Sequence, residues 1–455
     1  MTVKSQLCLV MLLSGFLCIR MDAQQDLEQI ARAAAAGDKQ AMDTLLAQAN
    51  AGHVLAQHMA GMIYGTGKGT AKDGVAAFRW YAMAAKSGFA ESQRSLGIAY
   101  LFGDRVERDP KAAVEWLTKA ARQGNQGAQW NLGVLLSVDE HGVRDVEEAK
   151  KWLTITAEAG VLDSQFRLGS LYRDEGTTPE DMKRAVHWTQ KAAEGGYAAA
   201  QNNFGVMLRE GVLIKKDPVA AIEWFRRAAE QEDFRAQLNL GEVYYFGEIA
   251  KRDLSKAFAL FRQSAAQGHP VAAFRLGTMH ENGEGPAKKD LATAAQWYRV
   301  AAERGHPQSK FQLGLLLIRG EGIPRSMPEA VHWFTEAAET GSAVSQFNLG
   351  LIYDRGDGVK RDGTLAAKWY LAAAQGGYAS AQNNLSVMYT EGDGVPRDLI
   401  AALFWVILAD EQGESSARVG RKRLEKHVTK AQIAEAQALV ATWKQKNARG
   451  SGRNQ

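Results

Sequence analysis

Tryptophan recurs at Trp80, Trp116, Trp152, Trp188, Trp224, Trp297, Trp333, Trp369 and Trp405, a spacing of 36 residues, and Leu260 holds the one place that lacks it. A fixed period of this length means that the chain repeats one small unit. No unit can bury its apolar face alone, so each leans on its neighbours in a stack. The 455 residues, which could otherwise suggest two or three globular domains, are therefore read as one array of ten units over 51–413.

Within the unit from Gly341 to Gly376, apolar residues recur at three and four places, the helical spacing. Two helices fit, one through Ser345–Tyr353 and one from about Gly363 to Ala374. Seven residues before each tryptophan position stands Asp73, Asp109, Asp145, Asp181, Asp217, Asp253, Asp290, Asp362 or Asp398, with Ser326 in the eighth unit. Asp and Ser are good N-caps, because a side-chain oxygen accepts from the orphan N–H groups of the first turn. Glycine follows the second helix in nearly every unit, as at Gly88 and Gly341, where a left-handed turn is expected. Another glycine sits inside the first helix, as at Gly97 and Gly350. It costs about 1 kcal/mol of helix propensity, so close approach of the second helix is expected there. The tryptophan is expected to fill the space between repeats, with a truncation cost of roughly 3–5 kcal/mol.

The stretch Leu349-Gly350-Leu351-Ile352-Tyr353, then Gly356-Asp357-Gly358-Val359 and Asp362, then Ala366-Ala367-Lys368-Trp369-Tyr370 and Ala373-Ala374 resembles the Sel1-like repeat, a relative of the tetratricopeptide repeats. The resemblance implies an all-α fold, a right-handed α-solenoid of antiparallel helix pairs whose first helices line a concave face. It also implies an adaptor or scaffold rather than an enzyme.

The ends differ from the array. Lys4, the apolar run Leu7–Ile19 and the stretch to Ala23 read as a signal peptide over 1–23, cleaved near Ala23. The run is too short for a comfortable membrane span. An exported, periplasmic or secreted protein without a stable span follows. Both cysteines, Cys8 and Cys18, lie in that segment, so the mature chain would carry no thiol. Residues 24–50 read as a capping half-repeat, 414–447 as a C-terminal capping helix region and 448–455 as a disordered tail. The third and fourth units lack the usual glycine pair between their helices, and the seventh has one residue more, so these loops should be the least regular.

Partner binding is expected on the first helices. The place before the repeat leucine is polar in most units: Asn131, Arg167, Asn203, Asn239, Arg275, Gln312, Asn348 and Asn384. Amides and guanidinium groups can bond both N–H and C=O of an extended peptide, or a carboxylate. The same row could instead hold neighbouring helices together. The preceding place is aromatic at Trp130, Phe166, Phe274, Phe311 and Phe347, which suits either a groove wall or packing between successive first helices. A third row, Lys72, Arg108, Arg144, Lys216, Arg252, Lys289, Arg325, Arg361 and Arg397, broken only by Glu180, could form a basic ridge toward an anionic envelope polymer, or a merely solvated edge.

Other chemistry finds little support. A net charge of +4 does not argue for nucleic acid. Gly65–Thr70 lacks phosphate-loop spacing, and Asp354–Asp362 lacks the closing glutamate of a calcium hand. His269 and His306 are too few for a zinc site. No cofactor and no catalytic set is expected. The favoured reading is an exported adaptor that binds a protein or peptide segment and regulates envelope signalling or assembly. The alternative is a cell-envelope carbohydrate or peptidoglycan binder or hydrolase.

Overall fold

The computed structural model describes residues 26–451, and all of its regular structure is helical. The expected signal peptide over 1–23 and residues 452–455 lie outside the described residues. The chain divides into two compact units, 1–217 and 218–455.

Unit 1 opens with α1 (26–35) and α2 (Lys39–Asn50). Four helix pairs follow: α3 (Val54–Thr66) with α4 (Gly74–Lys86), α5 (Ala90–Phe102) with α6 (Pro110–Arg122), α7 (Gln126–Ser137) with α8 (Val146–Glu158), and α9 (Leu162–Glu175) with α10 (Pro179–Glu194). The unit closes on α11 (Ala198–Glu210). Unit 2 begins with α12 (Pro218–Glu230) and holds α13 (Phe234–Phe246) with α14 (Leu254–Ala266), α15 (Pro270–Asn282) with α16 (Leu291–Glu303), α17 (Pro307–Arg319) with α18 (Met327–Glu339), α19 (Ala343–Arg355) with α20 (Gly363–Gln375), and α21 (Ala379–Glu391) with α22 (Leu399–Glu411). It ends with α23 (Ser415–Leu424), a 3₁₀ turn (Glu425–His427) and α24 (Lys430–Ser451). We call the first helix of each pair A and the second B. Each unit is thus a segment of α-solenoid.

The A–B contact explains the mid-helix glycine. A Cβ built on Gly350 would lie 2.4 Å from Cδ1 of Tyr370, and one on Gly314 would lie 2.8 Å from Cε1 of Phe334. The side chain directly after the tryptophan therefore rests on bare backbone. Leu117, Leu153, Phe261, Phe334 and Tyr370, all in this place, have no exposed surface. The tryptophans divide: Trp188, Trp333 and Trp405 are buried in the core as expected, whereas the others lie further out. Trp80, Trp116, Trp152, Trp297 and Trp369 are only half-buried. Cations cover several of the indole faces, with Lys119 Nζ 4.2 Å from the Trp116 ring centre and Lys368 Nζ 5.2 Å from that of Trp369. The deep filler is the residue after the tryptophan, because the glycine opens its slot there.

Successive pairs are joined by an amide row that the sequence reading passed over. The fourth residue of most A helices is glutamine. Its Nε2 donates to an alanine carbonyl at the end of the preceding B helix, eight residues back, at 2.9–3.2 Å from Gln57, Gln93, Gln129, Gln165, Gln201, Gln346 and Gln382. These bonds satisfy carbonyls that every helix end leaves orphaned. The glutamine oxygen in turn accepts from Gln123 at Gln93 (2.7 Å) and from Gln412 at Gln382 (2.8 Å). Ser87 and Gly195 stand in the corresponding places after Gln57 and Gln165, whose Oε1 atoms have no partner.

The Asp caps form as expected at Asp73, Asp109, Asp145, Asp253, Asp290, Asp362 and Asp398, and Ser326 substitutes for one. Asp181 is the exception. Thr178 caps α10, and Asp181 bonds back to it as the third residue of a capping box. Pro179, preset for the first helical position, moves the start of α10 ahead of the repeat register. The third and fourth loops are irregular, as anticipated: α7 and α9 end in extended residues, Val138 and Gly176, where other A helices end in a left-handed glycine; the seventh unit, despite its extra residue, keeps that glycine at Gly283.

At the start of unit 1, residues expected as a half-repeat form two helices joined at Gly37, and Leu27, Ala34, Leu45 and Ala49 pack against Ala56, Ala60 and Ile63. In unit 2, α24 lies on α22, where Trp443 meets Phe404 edge-on at 6.4 Å and Lys444 pairs with Glu411 at 2.6 Å. The helix runs to Ser451, into the segment read as a tail. Among the described residues, no helix is long and apolar enough to cross a membrane.

Candidate functional site

The predicted binding residues all lie on A helices, half-buried. Five fall in unit 1 and eight in unit 2.

In unit 1 a carboxylate organises them. Asp163 Oδ2 accepts from Trp130 Nε1 at 2.8 Å and from Arg167 Nε at 2.7 Å, and its Oδ1 accepts from the Tyr197 hydroxyl at 3.1 Å. Phe166 tilts against Tyr197 at 5.2 Å between ring centres. Burial and the neighbouring Asp163 charge raise the Tyr197 hydroxyl above its ordinary range, so it stays a donor. Asn203 has Asn202 3.4 Å from its oxygen. Asn131 makes no hydrogen bond within the described residues.

Asp163 was missed by sequence reasoning, but a signal existed. The second residue of an A helix bonds the residue capping the next one, 34 positions on: Glu91 with Asn125 at 2.7 Å, Asp163 with Tyr197, and Ser380 with Glu414 at 2.9 Å. A search for polar pairs two residues short of the period finds it.

In unit 2 the guanidinium of Arg275 donates to Glu242 Oε1 at 2.7 Å and lies 5.1 Å from the Phe246 ring centre. It is occupied by an ion pair rather than held open. Phe274 stacks on His306 at 4.7 Å and Phe347 on Tyr378 at 4.9 Å, and Phe311 meets Phe334 at 5.8 Å. Phe274 and Phe347 thus pack one A helix onto the residue capping the next, while Phe311 packs onto the B helix of its own pair. Asn348 donates to the Val344 carbonyl at 2.8 Å, and Asn384 bonds the Tyr370 hydroxyl. Asn239 lies half-buried on α13. Gln312 makes no hydrogen bond within the described residues. A cavity of about 440 Å³ opens beside it, lined by Pro307, Gln308, Phe311 and Val344.

The basic row is not a free ridge. Arg108, Arg252, Arg361 and Arg397 donate from Nε to the carbonyls of Leu101, Tyr245, Asp354 and Thr390, seven residues back, at 2.8–3.2 Å. Each closes the end of its own A helix. Arg361 and Arg144 also reach the next repeat, at Asp393 and Glu175. Arg108, Arg144, Arg252, Arg361 and Arg397 are thus engaged within the chain. Among the described residues, no three His, Cys, Asp or Glu side chains are placed to hold a metal ion.

Antiparallel A–B pairs locked by a glycine slot, stacked through a glutamine bond and faced with amides and rings define an α-solenoid repeat protein. The Sel1 repeat model matches ten consecutive segments between residues 54 and 414, and the chain belongs to the Sel1 repeat family. It is similar in structure to a protective antigen present in uropathogenic Escherichia coli strains, at 32% identity and a TM-score of 0.57, covering 88% of this chain and 94% of that one. It is also similar to a Sel1 repeat protein from Oxalobacter formigenes, at 28% identity and a TM-score of 0.58, covering 68% of this chain and 90% of that one. Comparison with the curated proteins finds no match.

Proposed function

We propose that this chain is an exported adaptor that captures an extended protein segment on its A-helix face and thereby regulates envelope signalling or assembly. The observation that carries this is a division of labour between two amide rows. The glutamines hold the stack together, while the row two residues further on is half-buried, and within it the Asn131 and Gln312 side chains have no hydrogen-bond partner among the described residues. Such amides beside half-buried rings supply the donors, acceptors and rigid contact area that an extended chain needs. Export is supported by the charged start and the apolar run Leu7–Ile19. The likeness to a protective antigen supports it too.

The test is photo-cross-linking in cells from positions next to Asn131 and Gln312, with fractionation of the same sample. Capture of one defined partner is expected, together with its loss in Asn131→Ala and in Gln312→Ala/Asn348→Ala at unchanged melting temperature. Capture that survives both variants would rule out the A face. Recovery of the chain only inside the cytoplasm would rule out export.

A further inference from the structure

Lysine at position 150 breaks a rule that the other nine repeats keep. Two residues before each tryptophan position stands an apolar side chain: Phe78, Val114, Val186, Ile222, Phe258, Ala295, Val331, Ala367 or Leu403. In this place Phe78 packs edge-on against Tyr100 of the next A helix at 6.0 Å. Lys150 instead sets its ammonium 5.0 Å from the ring centre of Tyr172. Its side chain is 11% exposed, and its only ion-pair partner within the described residues, Glu147, is 79% exposed and largely solvated. A cation buried at an apolar place costs stability unless something offsets it.

Lys150 belongs to the third repeat, and the fourth repeat beside it departs from the pattern as well. The loop between α9 and α10 lacks the usual glycines, Glu180 replaces the basic residue, and α10 starts early. A cavity of about 620 Å³ opens there, within the range of small-molecule sites. Arg184 lines it too, with its guanidinium 5.6 Å from the Tyr172 ring centre. Two cations thus flank one aromatic ring. Three acids also line the cavity: Glu147 pairs with Lys150, Glu175 pairs with Arg144, and Asp181 accepts from the Thr177 and Thr178 N–H groups at 3.3 and 3.2 Å. Arg184 takes part in no ion pair within the described residues.

We infer that this cavity is a binding site for a small molecule bearing an oxyanion, a carboxylate or a phosphate, held between Lys150 and Arg184 against Tyr172. The planar guanidinium offers paired N–H donors and the ammonium a compact charge, which together suit such a group. The site spans the third and fourth repeats, with Lys150 on α8, Tyr172 on α9 and Arg184 on α10.

The experiment is calorimetric titration of the full chain with citrate and, separately, with inorganic phosphate, at constant ionic strength set with chloride. One saturable site is expected for at least one probe; citrate alone identifies a carboxylate ligand and phosphate alone a phosphorylated one. Lys150→Met, which restores an apolar residue at this place, should abolish the heat and raise the melting temperature. Arg184→Gln, a change at an exposed position, should weaken binding at least tenfold with the fold intact. No saturable heat with either probe would overturn the assignment, as would equal binding by wild type and Arg184→Gln.

Discussion

Repeat nine, in unit 2, and repeat four, in unit 1, use the same plan with different parts. In repeat nine, α19 ends at left-handed Gly356, Arg361 closes its last carbonyls, Asp362 caps α20, and Tyr370 fills the slot over Gly350. In repeat four, α9 ends in an extended Gly176, Glu180 stands in the place of Arg361, Thr178 takes over the cap, and the slot over Gly169 holds only Thr189. Loop and slot both differ between the two repeats, and the register of the stack survives both. The stack is thus set by the A–B contact and the glutamine bonds, and the loops are free to acquire other chemistry.

The largest effect should come from emptying the slot in repeat nine. Tyr370→Ala should cost about 3–5 kcal/mol in urea unfolding, as for other buried aromatic truncations. Thr189→Ala in repeat four should cost about 1 kcal/mol, the worth of one buried methyl group. Similar losses at the two sites would break the comparison. Trp369→Ala should cost clearly less than Tyr370→Ala, because its ring is half-exposed. Next comes the glycine: Gly350→Ala should destabilise by about 1–2 kcal/mol, since overpacking outweighs the gain in helix propensity.

A pH effect of intermediate size is expected from a cap in unit 2. His306 Nδ1 accepts from the Ser309 N–H at 3.2 Å, and burial, with Arg275 and His269 nearby, pushes the imidazole down to about 4. The unfolded chain therefore binds the proton more readily between about pH 6.5 and 4. The stability of this cap should be complete above pH 6.5 and lost progressively as pH falls toward 4. Melting temperatures across that range should show a shallower acid loss in His306→Asn, which keeps an acceptor that does not titrate.

Two smaller effects sharpen the picture of the loops. Arg361→Met should cost about 1 kcal/mol by freeing the Asp354 carbonyl. Glu232 holds a positive φ of 63° where nine other repeats have glycine, so Glu232→Gly should stabilise by about 1 kcal/mol.

Most of the fold was legible because each signal was repeated. The period, the Asp caps, the mid-helix glycines and the irregular third and fourth loops all appear as read. Asp181 was misplaced as a cap because the register was trusted over Thr178-Pro179, whose local chemistry starts the helix sooner. The candidate site was legible only as rows. Which row holds the stack and which faces outward depends on an angular offset of two residues around a helix, and position in the repeat does not reveal it. Arg167 and Arg275 read as ladder members; Asp163 was marked only by its polar partner 34 residues on, and Glu242 by nothing comparable.

The sequence by itself determined the number of units, their helical pairing and the places where the pattern breaks, because periodicity and capping are local properties of the chain. Tertiary structure decided what each recurring residue does. Tryptophan recurs most visibly, yet its neighbour fills the core, since the space beside Gly350 exists only once the two helices touch. The basic row closes helix ends for the same reason: a guanidinium finds its carbonyl seven residues back only after the loop has folded.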